Sequence, residues 1–146
     1  MRRIGLLLVV VCVGLLSAPI QAGEDWDSIV GHYQCAGTNP EGGAYTALVE
    51  IVKRDKLFHL RWTMVSDGTP IYSYGLALVE PRSGKLVVGL YGGVPGVAIY
   101  RWKKASPLTL EGEWAAINAT GVYAESLTKL PKDHPAQTAP PPAKPK

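Results

Sequence analysis

Glu125 is the residue of this chain with the clearest capacity for chemistry. It lies between Tyr123 and Leu127 in the alternating stretch Val122 to Lys129, so a strand there turns its carboxylate to the side of those two neighbours. A carboxylate so placed needs a partner, because an unpaired buried charge is costly, and Arg61 or Arg101 is the cation expected to supply one. Glycosidase chemistry needs two carboxylates facing each other across a cleft, whereas Glu111 and Glu113 read as the exposed face of one strand and Glu50 as a wet position. The three histidines, His32, His59 and His134, share no ligand spacing with one another or with a cysteine, so no metal site is expected. No serine has a G-x-S-x-G context. Gly92-Gly93-x-x-Gly96 lacks the Lys-Ser or Lys-Thr and the following helix of a phosphate loop, and reads as a hairpin loop. No residue is assigned a catalytic role and no cofactor is expected.

The second set with functional potential is aromatic: Tyr33, Tyr45, Phe58, Trp62, Tyr72, Tyr74, Tyr100 and Trp114. Such side chains fill cores and also line small-molecule pockets. The candidate ligand-binding residues are Tyr33, Trp62, Tyr74, Tyr100, Trp114 and Glu125. Cys35 shares a strand face with Tyr33 and has no neighbour in sequence that would activate a thiol, so it reads as a buried apolar residue.

The elements that must position these residues are strands. In Gly31 to Ile51, Tyr33 and Cys35 fall on one face, Asn39-Pro40-Glu41-Gly42-Gly43 reverses the chain, and Tyr45, Ala47, Val49 and Ile51 resume the apolar face. Period two recurs in Phe58, Leu60, Trp62 and Met64, in Leu86, Val88 and Leu90, in Ala98, Tyr100 and Trp102, and in Leu108, Leu110, Gly112 and Trp114. Between Ile71 and Val79, Tyr72, Tyr74, Leu76 and Leu78 oppose Ser73, Gly75 and Ala77, and both faces can be partly covered. Charged or glycine-containing turns, Asp67-Gly68 among them, separate these runs, and no amphipathic helical stretch interrupts them. Eight short strands joined by hairpin turns predict an all-β fold, an eight-stranded antiparallel up-and-down β-barrel, with a two-sheet β-sandwich as the alternative.

The ends read differently. Arg2-Arg3, an apolar run from Ile4 to Leu16 and the small residue Ala22 predict a signal peptide over 1–22, too short in its apolar run to span a bilayer. A single barrel domain is expected over 23–130, with Trp26 able to cover one open end. A disordered, proline-rich tail follows over 131–146. Loss of residues 1–22 removes two arginines from a formal charge of +3 and leaves Cys35 as the one cysteine, so no internal disulfide is possible. The near-neutral domain has no basic block interleaved with aromatics, and nucleic-acid binding is not expected.

The pattern Tyr33-x-Cys35-x-Gly37-x-Asn39-Pro40, Gly43-x-Tyr45, Trp62, Gly75, Leu86-x-Val88, Tyr100, Leu110-x-Gly112-x-Trp114 and Gly121-x-Tyr123-x-Glu125 resembles a group of small exported bacterial proteins. Most are uncharacterised, and some carry an automatic fibronectin-binding label. The resemblance covers residues 31 to 129 and implies export, a bacterial source and a lipocalin- or avidin-like barrel. Its motifs are structural and transfer no functional residue, and Ala47 and Ala124 stand where the group usually has glycine.

Two functions follow. The first is a non-enzymatic binding barrel, monomeric, periplasmic or secreted, taking a small apolar ligand inside or an extracellular protein through its loops. The second is a small exported hydrolase or isomerase using an interior carboxylate such as Glu125. A cavity lined by Trp62, Tyr100 and Trp114 without a facing polar pair favours binding, and a carboxylate opposite Arg or His favours catalysis.

Overall fold

The computed structural model describes residues 25–135, so the segment read as a signal peptide and most of the proline-rich tail lie outside the described residues. A short 3-10 helix, η1 (Trp26–Ile29), precedes eight strands: β1 (Gly31–Thr38), β2 (Ala44–Arg54), β3 (Leu57–Ser66), β4 (Thr69–Glu80), β5 (Lys85–Tyr91), β6 (Gly96–Lys103), β7 (Thr109–Ala116) and β8 (Tyr123–Lys129). Each pairs antiparallel with its neighbours in sequence, and β8 pairs with β1, closing the barrel. The up-and-down barrel is therefore the fold, and the sandwich is not. Closure leaves no unpaired edge among these strands, which an open meander of the same sequence would present to other chains.

Period-two alternation decides what goes inside. Tyr33, Cys35, Val49, Ile51, Leu60, Trp62, Leu86, Val88, Tyr100, Leu110 and Leu127 are buried in the core. The first hairpin shows how register is set. The Asn39 side chain accepts from the backbone N–H of Glu41 at 3.2 Å and of Gly43 at 2.9 Å, and Gly42 adopts φ 86°. The turn so fixed places Thr38 opposite Ala44 and Gly37 opposite Tyr45.

β4 is the strand whose orientation the alternation left open. Its small face, Gly75 and Ala77, points inward, and Tyr74, Leu76 and Leu78 point outward. The reason is volume: a Cβ on Gly75 would lie 2.6 Å from Val88 Cγ1 and 3.0 Å from the Trp62 ring, so larger side chains on this face would collide with β3 and β5. Tyr74 stacks on Tyr91 on the outer surface, with ring centroids 5.8 Å apart.

The two ends of the barrel differ. At one end η1 forms a plug: Ile29 is wholly buried, and its carbonyl accepts from the Tyr33 hydroxyl at 2.6 Å. Lys129 Nζ donates to the Ser28 carbonyl, Lys53 pairs with Asp27, and Trp26 packs on Trp102 with centroids 5.5 Å apart. Trp26 thus covers an end of the barrel, as its position before the first strand suggested. The opposite end, framed by the β1–β2, β5–β6 and β7–β8 loops, stays open over a cavity.

Candidate functional site

The floor of that cavity is one level of the barrel built around Glu125. Gly37 on β1 is the cross-strand partner of Tyr45 on one side and of Glu125 on the other. Gly112 on β7 is likewise the partner of Glu125 on one side and of Tyr100 on the other. Around the barrel wall the order is Tyr45, Gly37, Glu125, Gly112, Tyr100. Each glycine leaves open the surface its tyrosine ring covers: a Cβ on Gly37 would lie 2.6 Å from the Tyr45 ring, and one on Gly112 would lie 2.3 Å from Tyr100 Cδ1. Both rings lie across their glycines toward the carboxylate. Tyr45 donates to Glu125 Oε2 and Tyr100 to Oε1. Trp62 donates its indole N–H to Oε1 at 3.2 Å, made room for by Gly75.

Glu125 is 6 % exposed, so most of its hydration has been replaced by these three donors. Its charge acts back on them. Burial first, and the Glu125 charge second, raise the Tyr45 and Tyr100 hydroxyls well above the usual tyrosine range. The same two causes, in the same order, raise the thiol of Cys35, which lies within hydrogen-bond reach of Glu125 and Tyr45. All three keep their protons, and the hydroxyls stay donors.

The cations expected to pair with Glu125 lie elsewhere. Arg61 bonds Glu50 at 2.9 Å, and Arg101 is exposed on β6 with Glu111 as its cross-strand partner. The reason is the alternation itself: each arginine adjoins an inward aromatic, Trp62 or Tyr100, and so faces outward. Among the described residues no Lys, Arg or His forms an ion pair with Glu125.

The cavity above this floor has a volume of about 470 Å³, and Tyr45, Trp62, Met64, Leu90, Tyr100 and Trp114 form much of its wall. Asn39, Pro40 and Glu41 from the β1–β2 turn, Val94 from the β5–β6 loop, and Asn118 and Ala119 from the β7–β8 loop stand at its mouth. Trp114 is 8 % exposed, and its indole N–H bonds the Thr38 carbonyl at 3.2 Å, which fixes the ring against the wall. Tyr45 meets Trp114 edge-on at 6.4 Å.

Of the six residues singled out from the sequence, Trp62, Tyr100, Trp114 and Glu125 line this cavity. Tyr33 does not: its hydroxyl is engaged with η1 at the plugged end. Tyr74 does not either, because it lies on the outer surface against Tyr91. Tyr45, Met64 and Leu90 also line it, Tyr45 belonging to the aromatic set read from the sequence but not to the six candidates. Tyr45 had a readable signal, since the five-residue turn at Asn39 sets the register that places it over Gly37.

No protein-family model matches the chain, and no curated protein matches it. Among solved structures it is similar to a redesigned β-barrel, with a TM-score of 0.58 and 16 % sequence identity over 72 % of this chain and 94 % of that one. At that identity the likeness is one of fold.

Proposed function

We propose that this protein is a binding barrel that takes a small, largely apolar ligand through its open end. The observation that carries the reading is a cavity of about 470 Å³, walled by aromatic and aliphatic side chains, in a barrel whose other end is plugged by η1. Small-molecule sites commonly occupy about 300–1,000 Å³ and combine apolar walls with a few polar groups that orient the ligand. The closed sheet makes such a site largely pre-formed, so little of the binding free energy is spent on ordering the protein. The catalytic alternative has less support, because Glu125 faces two tyrosines and a tryptophan rather than an arginine or histidine.

The charged start at Arg2-Arg3, the apolar run after it and the small residue Ala22 support export, and with it a periplasmic or secreted location. A bacterial source and membership of the exported group that the sequence pattern resembles are parts of the same proposal.

The test is titration with a polarity-sensitive apolar dye, read by dye emission and by quenching of tryptophan fluorescence. One dye per chain is expected, with uptake abolished by the cavity-filling substitution Leu90→Trp and unchanged by Ser126→Ala on the outer face. Absence of uptake, or uptake that Leu90→Trp leaves intact, overturns the reading.

A further inference from the structure

The interior charge is unbalanced. Glu125 carries the carboxylate at the cavity floor, and among the described residues the lining contains no lysine, arginine or histidine, its one other charged residue being the acidic Glu41 at the mouth. An anion held away from water without a counter-charge is unfavourable, and neutral donors offset only part of the loss. We propose that the cavity selects organic cations: molecules with an apolar body and a protonated amine or amidine head that seats on Glu125. The proposal rests on the cavity being a ligand site and names the ligand's chemistry.

Three features favour this class. A carboxylate offers about four acceptor positions: Trp62 and Tyr100 donate to Oε1, Tyr45 donates to Oε2, and the Cys35 thiol, a weak donor, also lies within hydrogen-bond reach of the group. Every one of these donors is neutral, and a bond from a charged ligand N–H is about twice as strong as a neutral one. The walls suit a cation as well, since Tyr45, Trp62, Tyr100 and Trp114 are aromatic and a cation is attracted to the face of such rings. Finally, both carboxylates on the path, Glu41 at the mouth and Glu125 at the floor, attract a cation and repel an anion. The hydroxyls of Tyr45 and Tyr100 do not compete for the role of ligand donor site, because each is already committed to Glu125.

The experiment compares three probes of one shape, 2-phenylethylamine, 2-phenylethanol and 3-phenylpropionate, by calorimetry at about pH 7, where an aliphatic amine is protonated. Wild-type protein is expected to bind the amine about tenfold or more tighter than the alcohol, and the carboxylate most weakly. In Glu125→Gln the preference for amine over alcohol should fall to within about twofold while alcohol binding persists. Should that variant not fold, the wild-type order of affinities decides alone. Equal binding of amine and alcohol to wild type, or a preference that survives Glu125→Gln, overturns the cation proposal and leaves the cavity as an apolar site. Failure of all three probes, together with failure of the apolar dye, overturns the site itself.

Discussion

Gly112→Ala tests the steric logic of the site floor. The added Cβ would sit 2.3 Å from Tyr100 Cδ1 and 2.6 Å from the Ile99 carbonyl oxygen, more than 1 Å inside ordinary contact in the first case. A ring can tilt away from a methyl group, but the Ile99 carbonyl belongs to the β6 backbone, which is pinned between β5 and β7. Overpacking of this kind costs about 1–3 kcal/mol, and the backbone contact places this case toward the upper end. Gly89→Ala on the outer face is the matched control, because its Cβ would meet only the Leu76 carbonyl oxygen at 3.9 Å. There the reduced freedom of the unfolded chain should leave stability unchanged or raise it by up to about 1 kcal/mol. Thermal and urea unfolding should separate the two variants by about 2–3 kcal/mol, or roughly 10–20 °C in Tm for a domain of this size. Equal stabilities would refute the argument that Gly112 exists to admit the Tyr100 ring.

Trp114→Ala should destabilise the barrel by about 3 kcal/mol, the lower end for such truncations because one face of the ring already borders the cavity; a loss well under 1 kcal/mol in urea unfolding would remove Trp114 from the core. Stability should fall above about pH 9, because the native state keeps protons on Cys35, Tyr45, Tyr100 and Tyr33, whose ordinary values are 9.0 for the thiol and 10.0 for the tyrosines. The unfolded chain releases those protons first, so each buried group lowers stability by up to about 1.4 kcal/mol per pH unit in that range. Tyr45, which opens onto the cavity, contributes less, and the depressed Lys129 ammonium opposes the trend as a single, partly exposed group. Urea midpoints that stay constant from pH 8 to pH 11 would contradict this. The Cys35 thiol should react with a thiol reagent orders of magnitude more slowly in the native protein than in urea, and equal rates would show that the interior is open at β1.

The barrel was legible because its strands obey period two almost throughout, and because short turns such as Asn39 to Gly43 permit only neighbour pairing. Cys35, Trp62, Tyr100, Trp114 and Glu125 fall where alternation puts them. β4 shows where that signal stops: Tyr74 with Leu76 outweighs Gly75 with Ala77 in hydrophobicity, yet the space left by Trp62 and Val88 turned the small face inward. Tyr33 shows a second limit, since alternation gives the face of a residue but not its height, and its height placed it against η1 rather than in the cavity. The carboxylate's partners were missed for a related reason. A search for opposite charge led to Arg61 and Arg101, whose parity faces them outward, whereas the actual donors depend on the registers that set Gly37 beside Tyr45 and Gly112 beside Tyr100.

Native mass spectrometry of the protein isolated from its own source shows whether the barrel holds a ligand. The expected result is a chain carrying one small molecule, released on denaturation and displaced when Leu90→Trp fills the cavity. A chain that carries no ligand, takes up none of the apolar or cationic probes, and instead retains a protein partner would contradict it and move the function to the outer surface and loops.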